Sequence, residues 1–188
     1  FDSKANKLEL NKSYRTTVNI SNVSNLILDQ MSQAPAKCIA RTGDELLLSN
    51  DISCQNIILQ IKTLLDKDYQ SIAIICKDDK ETHDIYSKLK KMRLNISEIT
   101  ENNDQYNGGL CIMPSYLSKG LEFDAVIIYN ANTQNYSSTN IDMKLLYVAT
   151  TRAMHDLVIN YDGELSLPLK SLEKKNNVLK KVKSNISE

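Results

Sequence analysis

Glycine and proline are scarce in this sequence of 188 residues, at five and three. None of the five glycines can build a G-x-x-x-x-G-K-[ST] loop. A chain without that phosphate cradle, and without the acid that serves its Mg²⁺, is not expected to hydrolyse a nucleoside triphosphate by itself. Arginine is rarer still, with Arg15, Arg41, Arg93 and Arg152 set against nineteen lysines. Net charge is zero, which excludes a broadly polyanion-seeking surface, so any nucleic-acid contact must be local. The four cysteines form no C-x-x-C pair and have no histidine at ligand spacing, which argues against zinc and leaves no expected metal ligand in the chain. Cys38, Cys76 and Cys111 lie in apolar runs and read as buried free thiols of a reducing, cytoplasmic compartment. No signal peptide opens the chain, and no apolar run approaches the roughly 18 residues of a membrane span. The abundance of Lys, Asn and Ile suggests a low-G+C bacterial source. The opening at Phe1, without a methionine, reads as a piece excised from something larger.

What is present is an alternation of helical and strand patterns. Thr16 or Thr17 can cap a helix whose Ile20, Val23, Ile27 and Met31 share one face. "KCIARTGDELLLSN" follows, and its Thr-Gly-Asp reads as a hairpin turn in a β-rich insertion near 37–50. Asp44 and Glu45 precede the apolar run there instead of closing it, so they do not resemble metal-binding acids at a strand end. Helices are expected at 51–66, 79–92 and 141–154, and strands at 71–76, 110–114, 125–129 and 156–161. Such alternation implies an α/β domain with a mainly parallel sheet covered by helices on both faces. In sheets of this kind ligands bind outside the carboxyl ends of the strands. The lysine-rich end, 171–188, reads as a solvated tail or frayed helix.

Three segments hold the unusual residues: "NKSYRTT" with Tyr14 and Arg15, "PSYLSKGLEF" at 114–123, and "LLYVATTRAMHDLVI" with Arg152. An arginine offers a planar, non-titrating fork of donors suited to a phosphate whose charge grows during transfer. Tyr14 can stack on a base. Gly120 followed by Glu122 allows close backbone approach beside an acceptor for a ribose hydroxyl. Together these describe half of a nucleotide site; singly, each is compatible with packing or a surface ion pair.

"SYRTT", "SKGLEFDAVII" and "LLYVATTRA" resemble motifs IV, V and VI of the UvrD/Rep-like superfamily 1 helicases, in that order, and the resemblance runs from about Leu8 to Tyr161. It implies the second (C-terminal) RecA-like motor domain of an ATP-dependent DNA helicase or translocase, over residues 1–170. This is a three-layer P-loop NTPase fold lacking its own P-loop, facing ATP and Mg²⁺ held mainly by an N-terminal motor domain. Carried over residue by residue, Tyr14 would stack on adenine, Arg15 would reach the γ-phosphate, and Arg152 would be the second γ-phosphate arginine, a finger on the transition state. Glu122 would contact the nucleotide sugar, with Gly120 admitting the backbone. Tyr147 and Thr151 would serve helix placement.

Tyr116, Ser118 and Lys119 would face single-stranded DNA. The family's Thr-x-His before S-K-G is replaced here by Pro114 and Tyr116, so base contact there would be stacking. The run "MPSYLSKGLEFDAVII" is most similar to the HelD-like branch, which associates with bacterial RNA polymerase. That implies an alternative, ATP-driven polymerase remodelling with little unwinding. A third reading is a RecA-like fold kept as an interaction module.

Overall fold

The computed structural model describes residues 12–13, 16–35, 37–38, 43, 46–103 and 106–173. Six strands form one sheet: β3 (Leu47–Ser49), β4 (Ser71–Cys76), β5 (Ser97–Glu98), β6 (Gly109–Pro114), β7 (Phe123–Ile128) and β8 (Ala153–Asn160). Their order is β3-β8-β7-β4-β6-β5, and every pairing in it is parallel. The short strands β1 (Lys12–Ser13) and β2 (Lys37–Cys38) pair with each other in a second, two-stranded ribbon.

Among the described residues, four α-helices cover the large sheet: α1 (Val18–Gln30), α2 (Cys54–Leu65), α3 (Asp79–Lys91) and α4 (Asn140–Thr150). Each starts where a short polar side chain satisfies an orphan backbone N–H. Thr17, Ser53, Asp78 and Thr139 accept from the N–H groups of Ile20, Asn56, Glu81 and Asp142. The apolar stripes then choose faces. Ile20, Val23 and Ile27 of α1 pack with Met143, Leu146 and Ala149 of α4 on one side. Ile57, Ile61 and Leu64 of α2 pack with Ile85 and Leu89 of α3 on the other. The central strands are buried on both faces, as an apolar run such as Ile72–Cys76 requires. The result is a three-layer α/β domain, as the alternation of patterns implied.

Two expectations need correction. The hairpin at 37–50 does not form between strands 37–38 and 47–49: β2 joins β1, and β3 lies parallel to β8 with Leu48 opposite Ile159. Thr42 and Asp44 of the expected turn lie outside the described residues; the edge of β8 is covered by the apolar segment of β3, which buries Leu48. The helix expected through 154 stops at Thr150, and β8 starts at Ala153, three residues before the expected strand. Its start is drawn in by the neighbouring strand, since the Phe123 N–H donates to the Arg152 carbonyl at 2.9 Å.

Candidate functional site

The connection from β6 to β7 places most of the singled-out residues. It leaves the carboxyl end of β6 at Pro114, passes through a 3-10 turn (Ser115–Ser118), and enters the amino end of β7 at Phe123. Two buried serines hold it down. The Ser115 hydroxyl donates to the Leu145 carbonyl of α4 at 2.7 Å, and the Ser118 hydroxyl donates to the Ser115 carbonyl at 2.7 Å. Ser118 is thus placed inside the turn, fully buried, with Tyr116 and Lys119 exposed beyond it.

At the carboxyl-terminal edge of the sheet, the Tyr116 hydroxyl donates to Asp79 in the first turn of α3, at 3.0 Å, and approaches Glu101 at 3.3 Å. Desolvation and these two carboxylates push its phenol up to about 12, so it remains a protonated donor at neutral pH. Tyr116 as a whole retains 37% exposure, which leaves it accessible for stacking.

Gly120, Glu122 and Arg152 lie at the other, amino-terminal edge, and not at the carboxyl ends where α/β sheets usually take ligands. Gly120 has φ +89°, and a Cβ there would meet nothing within 4 Å, so the requirement for glycine is conformational and the approach to its backbone is open. Glu122 is exposed beside it. Arg152 follows the end of α4, and its guanidinium is anchored on all three nitrogens. Nε donates to Val148 O at 3.1 Å, Nη1 to Leu121 O at 3.0 Å, and Nη2 to Thr151 Oγ1 at 3.1 Å. A cation at the C-terminus of α4 also suits the helix dipole and satisfies a last-turn carbonyl. Glu122 is flanked by Leu121 and Phe123, both hydrogen-bonded to Arg152, so carboxylate and cation are brought to one place.

The same edge has features that residue patterns did not suggest. Phe123 pairs with Ala153 but Ala125 pairs with Asp156, so β8 carries one extra residue just after Arg152. There His155 stacks on Tyr69, with ring centroids 5.7 Å apart, and its Nε2 lies 3.8 Å from Asp124. Asp124 itself accepts from the backbone of Gln70 and Ser71, both at 2.9 Å, and clips β7 to the start of β4. Tyr147 is half-buried against the core. Tyr14 and Arg15 lie outside the described residues; the cap that follows them, Thr17, is in place. The backbone acceptors Val148 O and Leu121 O carry no residue-type signal, and neither did the acidic neighbours of Tyr116.

The six-stranded parallel α/β sheet is that of a RecA-like helicase C-terminal domain, and the comparisons agree on this class. Residues 109–159 match the UvrD-like helicase C-terminal domain. The chain is 31% identical to the solved C-terminal domain of a possible DNA helicase from Lactobacillus plantarum WCFS1, over 84% of this chain and 92% of that one, with a TM-score of 0.65. The chain belongs to the UvrD-like helicase C-terminal domain family. Neither match singles out the HelD-like branch. No curated protein matches the chain.

Proposed function

We propose that this domain is the second motor domain of an ATP-dependent DNA helicase, closing over an ATP whose phosphates and Mg²⁺ are held by an N-terminal P-loop domain. The observation that carries the reading is the anchoring of Arg152 beside Glu122 and Gly120 on an open edge. A pre-positioned guanidinium stabilises charge that develops on the transferring phosphoryl group, and costs no reorganisation at that moment. Glu122 accepts a ribose hydroxyl, and Gly120 lets the nucleotide approach the main chain. Arg15 would add a second γ-phosphate contact, and Tyr14 would stack on the adenine. Tyr116 and Lys119 meet single-stranded DNA, with Ser118 holding their turn.

The test is ATP hydrolysis by the full-length protein, with and without single-stranded DNA. Arg152→Ala is expected to lower kcat on the order of 10³-fold while nucleotide binding survives. Wild-type rates in that variant would overturn the motor reading and leave an interaction module.

One observation favours the second reading, an ATP-driven remodeller of RNA polymerase. Asp79 and Glu101 beside the Tyr116 ring oppose a passing phosphate backbone. A motor that releases stalled polymerase yet fails to unwind a tailed duplex would select that reading over the helicase.

A further inference from the structure

We propose that Thr151 is a positioning residue for the arginine finger, its hydroxyl setting the plane in which the Arg152 guanidinium meets the transferring phosphate. The proposal rests on the reading of Arg152 given above. Two anchors on a planar fork leave rotation about the line joining them; a third removes it. Among the acceptors that Arg152 meets, Val148 O and Leu121 O belong to the backbone, and Thr151 Oγ1 belongs to a side chain.

The hydroxyl is itself oriented. It lies 3.0 Å from both Tyr147 O and Val148 O in the last turn of α4, to which it gives its single proton. A hydroxyl that donates into the helix turns its lone pairs outward, and one of them receives Nη2–H. The helix end does not need this hydroxyl for its own closure. The backbone N–H of Thr151 already reaches Tyr147 O at 3.0 Å, and that of Arg152 reaches Ala149 O at 3.2 Å. A structural role therefore accounts for the threonine's place in the turn but not for its contact with the guanidinium. The preceding residue supplies an internal control. Thr150 also donates its hydroxyl back into α4, to Leu146 O at 2.8 Å, but it is fully buried and serves packing.

The experiment is steady-state ATP hydrolysis by the full-length protein, saturated with single-stranded DNA, for five variants: Thr151→Val, Thr151→Ser, Thr150→Val, Arg152→Ala and the double Thr151→Val/Arg152→Ala. Loss of one hydrogen bond to a charged group predicts that Thr151→Val lowers kcat about tenfold. KM for ATP should stay within about twofold, because the bond acts in the transition state. Thr151→Ser should restore kcat to within about threefold of wild type, and Thr150→Val should leave it unchanged. In the Arg152→Ala background Thr151→Val should have no further effect, because a positioning residue has nothing left to position.

An equal loss from Thr151→Val with and without Arg152 would place the hydroxyl's role in the helix and overturn the inference. So would a wild-type kcat in Thr151→Val when Arg152→Ala has collapsed it, and in that case the finger reading survives alone. A wild-type kcat in Arg152→Ala removes both.

Discussion

Asp124 illustrates how a single side chain in this edge can be mistaken for chemistry. It stands two residues beyond Glu122, and by pattern alone both are carboxylates at the mouth of a buried strand. The structure separates them. Glu122 faces outward, whereas Asp124 accepts from Gln70 N, Ser71 N and Ser71 Oγ at 2.8–2.9 Å. Its partial desolvation favours the neutral acid, but the bonds from Ser71 and Gln70, with His155 nearby, outweigh this and hold the carboxyl below its ordinary 3.8. A group with a depressed folded pKa stabilises the fold above its unfolded pKa, and loses that contribution as pH falls through the folded value. Asp124→Ala is accordingly expected to destabilise the domain by about 2 kcal/mol in urea melts at pH 7. The gap between wild type and variant should narrow as pH drops below 4. An unchanged gap down to pH 2 would show that the carboxylate's charge is not what its partners recognise.

The order of Lys119, Gly120 and Glu122 singled out this loop in the sequence. The division of labour between its two carboxylates was not legible, because it depends on Ser71, more than fifty residues away in the chain.

At the scale of elements, the β6–β7 connection matters most. Most crossovers between parallel strands carry a full helix; here eight residues, 115–122, run from one edge of the sheet to the other. Tyr116 therefore sits at the carboxyl-terminal edge and Gly120 and Glu122 at the amino-terminal edge of one short, serine-stapled segment. On the proposed reading, DNA contact at one end and nucleotide contact at the other would be joined by this one short segment.

The helices and central strands were readable because each carries its own cap and a sustained period, as with Ser53 before Ile57, Ile61 and Leu64. The pairing of β3 was not, because a local turn signal suggested a hairpin, and what places the strand is the edge of β8, over a hundred residues later. Another long-range bond fixes α2 on β8. Gln60 and Asn160 exchange two amide hydrogen bonds of 2.8 Å in a buried site. Replacing one partner leaves the other's polar atoms unpaired, at a cost of about 1–3 kcal/mol, whereas replacing both removes the need for pairing. We expect Asn160→Leu to lower stability more than the double Gln60→Leu/Asn160→Leu, measured by chemical denaturation. A double variant at least as unstable as the single would show that the amides contribute specific packing beyond mutual satisfaction.

For the whole molecule, the absence of a P-loop and the presence of an anchored arginine belong together. On the proposed reading, a domain that supplies a finger, a sugar contact and an open edge is half of a site, and the motor's activity would depend on closure against the half that holds the phosphates. Closure would then be a population shift driven by contacts made only when ATP bridges the two domains. The class of fold and the family were legible from three ordered motifs. The edge on which the candidate residues Gly120, Glu122 and Arg152 lie was not, because the usual rule for α/β sheets points to the opposite end of the strands.

The measurement that tests this most directly is a structure of the full-length protein with ADP and an aluminium fluoride mimic of the transferring phosphoryl group. The expected result is a closed pair of domains in which the terminal nitrogens of Arg152 lie within about 3 Å of the fluoride, with Glu122 on the ribose. A bound analogue met by other residues, with Arg152 directed away from it, would contradict the assignment of this edge as the second half of the ATP site.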